Sequence, residues 1–157
     1  MFARGAGPTG DHDGVMILRA VALLATLVAT SLLGAGVAGA APSAPCGVAV
    51  RACVRLSTNQ AWLLDGGKVV SGPVRVSHGR PGFRTPPGTF RVSYKQKDHV
   101  STIYDAEMPY SVFFNGGIAF HQGSVRVTSH GCIHLPAVAA RTFFGTLRPA
   151  DVVQVVR

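Results

Sequence analysis

Residues 121–136, HQGSVRVTSHGCIHLP, gather three of the chain's 6 histidines and one of its 3 cysteines into one short stretch rich in hydroxyl side chains. Two chemistries fit such a cluster. The first is a metal site built from His121, His130, Cys132 and His134. His130, Cys132 and His134 are spaced by two, so they share one face if extended and splay if turned. Neither arrangement matches the paired spacings of zinc sites. The second is a nucleophilic thiol. Acyl transfer through a thiol needs a base, donors for an oxyanion, and room for substrate beside the sulfur. His121, at the end of an apolar run, supplies a base. Gly131 leaves the approach to Cys132 open and permits a turn that aims successive N–H groups at one point. A helix start after Leu135 would bring a positive dipole end near the thiol and lower its pKa. A Gly-centred TSHGC with an unpartnered Cys favours the thiol chemistry, and no metal or other cofactor is expected.

These residues must be held by the elements around them. YSVFFNGGIAFH (110–121) reads as two apolar strands about an NGG turn, the second delivering His121. Upstream, Val54 and Leu56, then Trp62 and Leu64, alternate as strand residues before the hairpin signal DGG. KVVSGPVRVS is the returning strand, with Gly72 and Pro73 marking an edge or a bulge. A further strand is expected from about Thr89 to Tyr94, whereas the polar KQKDHVSTIYDAEMP reads as a loop. PAVAARTFFGTL is the one helix candidate, with Pro136 at its start, where a missing N–H costs little. DVVQVVR closes as a strand. Many short strands, regular turns and one short helix predict a mainly β sandwich or barrel.

The N-terminus reads differently. Residues 20–38 carry no charge, Arg19 precedes them and AGAAPSAP follows, the pattern of a secretory signal peptide with cleavage expected after Ala40. An uncleaved membrane anchor is the alternative. Asp11 and Asp13 do not suit such a leader, so translation is expected to begin near Met16. Residues 41–52 then form a short lead and 53–157 the functional domain.

Export places the chain in an oxidising compartment, in the cell envelope. The spacing of Cys46 and Cys53 allows a disulfide without requiring it, and the expectation is that they pair, leaving Cys132 as a free thiol. The chain has 15 Lys and Arg against 7 Asp and Glu, a formal charge of +8. Arg4 and Arg19 balance Asp11 and Asp13, so the charge survives cleavage. Such a field favours anionic partners. Export argues against nucleic acid and for an anionic cell wall.

The chain resembles the catalytic domain of the L,D-transpeptidases, the YkuD-type family. The resemblance rests on His121, a variable loop, and then Ser129, His130, Gly131 and Cys132, with TPPGTF (85–90) and MPYSVFF (108–114) as further matching segments. It runs from about Cys53 to Arg157. It implies a mostly β fold with the site under a lid-like loop, and cross-linking of peptidoglycan stem peptides. Cys132 would be the nucleophile and His121 the general base, oriented by the backbone carbonyl of Gln122. Backbone N–H groups of His130, Gly131 and Cys132 would hold the oxyanion, and Ser129 would help to hold the loop. The implied product is a 3-3 cross-link between a donor tetrapeptide and an acceptor amine; with water as acceptor, the same site is an L,D-carboxypeptidase. The sequence departs from the family twice: seven residues separate His121 from Ser129, a short loop, and position 134 is His where Arg or Asn is common.

Other thiol enzymes fit less well. Papain-like wall endopeptidases place Cys before His. Sortases place His first, but with a larger gap and an essential Arg after the Cys. A non-catalytic wall-binding module would share fold and charge yet tolerate loss of the thiol.

Overall fold

The computed structural model describes residues 43–157. The apolar segment read as a leader, its cleavage point and the alternative start at Met16 lie outside the described residues. The described chain forms two sheets and one helix. The first sheet orders its strands β3-β2-β1-β9-β4 and the second β5-β6-β7-β8. These are β1 (Ala52–Arg55), β2 (Gln60–Asp65), β3 (Lys68–Arg75), β4 (Gly88–Arg91), β5 (Tyr94–Ser101), β6 (Ala106–Asn115), β7 (Ile118–Gln122), β8 (Ile133–Leu135) and β9 (Val152–Val156), with α1 at Ala137–Thr146 between β8 and β9.

Alternation along the strands sends one set of side chains into a shared core. Ala52 and Val54 from β1, Ala61 and Leu63 from β2, and Val153 and Val155 from β9 meet Val112, Phe114, Phe120, Ile133 and Leu135 of the second sheet. Helix α1 adds Ala139, Ala140 and Phe143, with the Phe143 ring 5.2 Å from that of Phe120. Burying Phe143 contributes roughly 2–3 kcal/mol. Pro136 precedes the helix as its N-cap, and its carbonyl accepts from the Ala140 N–H at 2.9 Å. Lys95 Nζ donates to the Leu147 carbonyl at 2.7 Å, satisfying an acceptor just past the last turn.

The sequence reading of β2 needs correction. Ala61 to Leu64 are all buried, so this strand is covered on both faces. The second cover is a small cluster in which Val50, Cys53, Trp62 and Leu64 pack with Cys46. Cys46 and Cys53 are joined by a disulfide, and Cys53 faces Trp62 across the β1–β2 ladder. β3 is an edge strand and carries Gly72 and a cis Gly72–Pro73 bond beside register shifts against β2.

The segment read as a polar loop, 95–109, is also different. Tyr94–Ser101 pairs antiparallel with Ala106–Asn115 in a long hairpin whose turn spans 102–105. Polar residues occupy both of its faces, so hydrophobic alternation was missing, and backbone pairing with the apolar β6 sets the conformation instead. The strand expected at 89–94 ends at Arg91, and the Val92 N–H turns to the Asp151 carbonyl at 2.9 Å.

Candidate active site

The outer face of the second sheet carries the site. Phe120 points inward to the core, so its neighbour His121 points outward. β8 pairs with β7 in parallel, Phe120 opposite Ile133 and His121 opposite His134. Cys132, one residue before β8, packs against Met108, Phe113 and Ala119 of the same outer face. One short parallel ladder thus brings together a histidine and a cysteine eleven positions apart. Both line a cleft of ≈ 630 Å³ whose wall also includes Ile103, Tyr104 and Glu107 from the β5–β6 hairpin, together with His134. Among the described residues, no group of three or more His, Cys, Asp or Glu is arranged to hold a metal ion.

The His121 ring is buried, and its Nδ1 lies 2.8 Å from the Gln122 carbonyl. A carbonyl only accepts, so Nδ1 carries the proton and Nε2 keeps its lone pair. Burial lowers the His121 pKa to about 4; the Gln122 carbonyl opposes this, while His134 and His99 add to it. Burial also pushes the Cys132 thiol above its usual range, against a smaller opposing effect of a backbone hydrogen bond at Ala119. A lowered thiol pKa was expected from the helix start. The structure places β8 and Pro136 between Cys132 and α1, and desolvation wins. The pair therefore rests as a neutral imidazole and a thiol.

The turn before Cys132 is pinned at each residue. Ser129 Oγ donates to the Cys132 carbonyl at 2.6 Å and accepts the Gly131 N–H at 3.0 Å. The Gly131 amide, expected to face the oxyanion, is here bonded to Ser129 Oγ, whereas among the described residues those of His130 and Cys132 make no turn or side-chain hydrogen bond. Gly131 has φ +121°, where a side chain is strained, and an added Cβ would stand 3.3 Å from Ile118. Thr85 Oγ1 donates to the Gly131 carbonyl at 2.7 Å and accepts the Gly79 N–H at 3.0 Å. The backbone of 78–80 closes on the same turn, with Ser129 N–H donating to the His78 carbonyl and Arg80 N–H to the Ser129 carbonyl, both at 3.0 Å.

His130 turns away from a base role. Its ring stacks on Tyr104 at 4.2 Å, meets Phe83 edge-on at 4.7 Å, and accepts from Arg80 Nη2 at 2.7 Å through Nε2. A guanidinium only donates, so Nε2 must be unprotonated. His134 holds the 123–128 loop: its Nδ1 is 3.0 Å from the Ser124 carbonyl and 3.3 Å from that of Val127, and Ser77 Oγ donates to the Val127 carbonyl at 2.7 Å.

Sequence reasoning missed Ser77, Arg80, Phe83, Tyr104 and the part played by Thr85. Only Thr85 left a trace, as the first residue of the quoted TPPGTF segment. The others reach the turn across long sequence separations that no local pattern marks.

The family profile described as the L,D-transpeptidase catalytic domain, YkuD, matches residues 49–155. Among solved structures the chain is similar to an L,D-transpeptidase from Stackebrandtia nassauensis, with 30% identity and a TM-score of 0.65 over 68% of this chain and 54% of that one. It is similar to L,D-transpeptidase 1 of Mycobacterium tuberculosis, with 26% identity and a TM-score of 0.62 over 71% of this chain and 63% of that one. A third similar structure is an L,D-transpeptidase in complex with imipenem, at 25% identity and a TM-score of 0.63 over 70% of this chain and 60% of that one. The chain thus spans less than two thirds of the length of each of these structures. No curated protein matches it in sequence.

Proposed function

The chain belongs to the L,D-transpeptidase catalytic domain family, and on that premise we propose that it is an exported cysteine acyltransferase cross-linking peptidoglycan stem peptides. The observation that carries this reading is the parallel register of β7 and β8, which places His121 and Cys132 in one cleft beside a pinned turn.

Cys132 Sγ attacks the carbonyl carbon of the third residue of a donor tetrapeptide. Because the thiol starts protonated, His121 Nε2 takes its proton as the carbon–sulfur bond forms. The N–H groups of His130 and Cys132, without a turn or side-chain hydrogen bond among the described residues, receive the oxyanion. Collapse breaks the amide bond, and the protonated His121 gives its proton to the departing D-Ala amine. The acceptor amine then attacks the thioester, His121 accepts its proton, and the thiolate leaves and is reprotonated. Water in place of the amine gives the carboxypeptidase outcome. The +8 charge favours residence on an anionic wall, where acceptor amines are at hand. Export is supported by the apolar leader-like segment and by the disulfide.

Incubation with imipenem followed by intact mass and peptide mapping tests the assignment. One adduct on Cys132, absent from Cys132→Ala, is the expected result. An unmodified wild-type protein under conditions that acylate a related enzyme overturns it.

A further inference from the structure

We propose that a second groove, behind the 78–87 segment, binds the free carboxylate of a short peptide with small apolar side chains. The groove measures ≈ 500 Å³, within the ordinary range for ligand sites, and shares no lining residue with the catalytic cleft. Leu56, Pro81, Pro86 and Pro87 give it apolar walls. Proline walls lose little freedom when a ligand seats. Arg84 and Arg157 line the same groove, and neither is in an ion pair; the ion pair among the described residues is Arg51–Asp65. No Asp or Glu side chain lines it. The sequence from Gly66 to Lys97 contains Lys68, Arg75, Arg80, Arg84, Arg91, Lys95 and Lys97 and no acidic residue, and of these cations Arg84 lines the groove.

Apolar walls beside planar guanidinium donors suit a carboxylate flanked by methyl groups. Ser57, His78 and Thr85 are the other polar residues that line the groove besides the two arginines, and the Thr85 hydroxyl is already engaged by Gly79 and Gly131. Gly79 and Thr85, which line the groove, also reach the Gly131 carbonyl through Thr85 Oγ1, so an occupant rests against the scaffold of the thiol turn. Identification of the peptide as a second stem peptide rests on the function proposed above; the carboxylate site itself does not.

The test uses the full chain carrying Cys132→Ala, isotopically labelled, titrated with acetyl-L-Ala-D-Ala and with its C-terminal amide. The free acid is expected to shift the amide signals of Leu56, Gly79 and Thr85, and the C-terminal amide to bind at least tenfold more weakly. The exposed double substitution Arg84→Gln/Arg157→Gln is expected to weaken the acid at least tenfold. Equal binding of acid and amide, shifts confined to the catalytic cleft, or undiminished binding by the double variant overturns the proposal. So does tighter binding of glycerol phosphate than of the acid. Because these titrations do not use the thiol, groove binding without an imipenem adduct on wild-type protein would reject the enzyme reading and leave the site standing.

Discussion

His121 and Cys132 rest uncharged, and this fixes how the reaction responds to pH. With the His121 pKa at about 4, its lone pair is available at all pH values well above that. Acylation of the wild type by imipenem is therefore expected to be nearly flat from about pH 5.5 to 8 and to fall as pH drops through about 4. In His121→Ala the thiol must ionise unaided, and burial has raised its pKa. That variant should react at least about a hundredfold more slowly at pH 7, with a rate climbing about tenfold per pH unit. Stopped-flow acylation across pH checks both; a flat profile for His121→Ala would move the base elsewhere. Thr85→Val supplies a second test at this scale. It removes the hydroxyl that holds both the Gly131 carbonyl and the Gly79 N–H while keeping side-chain volume. Stranding two buried backbone groups should cost about 2–4 kcal/mol in urea unfolding and slow acylation about tenfold or more.

At the scale of elements, the disulfide ties the segment before β1 onto the face of the first sheet away from the main core. Its closed loop is short, with a sequence separation of 7, so reduction should cost about 2–3 kcal/mol. Denaturant unfolding with and without reductant measures this, and a thiol count on unreduced, unfolded protein should return one, from Cys132. Much of the element plan was legible in the sequence. The NGG turn between β6 and β7 and the helix after Pro136 follow from turn chemistry and apolar spacing. β5 was not legible, because KQKDHV has no apolar face and becomes a strand only through its ladder with β6. Within the site, the residue types of the SHGC turn were legible, and the occupation of the Gly131 amide by Ser129 Oγ was not. Nor was the clasp on His130, since Arg80 stands fifty residues upstream of it.

For the whole molecule, the buried His121 makes folding sensitive to acid. Its folded pKa of about 4 lies below the unfolded value of 6.5. Between these values the unfolded chain binds a proton that the folded chain refuses. The stability linked to this group is fully present above about pH 6.5 and is lost progressively as pH falls to about 4, by at most about 3 kcal/mol. His121→Gln should show a shallower loss of stability between pH 7 and 4.5 than the wild type, read as the shift in urea midpoint. The β7–β8 ladder has a different consequence for how such a molecule can change. It anchors both ends of the segment from Gly123 to Cys132, so residues inserted near the middle of that segment leave the imidazole and the sulfur where they are. What an insertion must replace is the grip of Ser77 and His134 on the carbonyls of Ser124 and Val127. The segment is thus an interchangeable cassette, in which new substrate preferences can be written by trial lengths and compositions while the reaction itself is inherited unaltered.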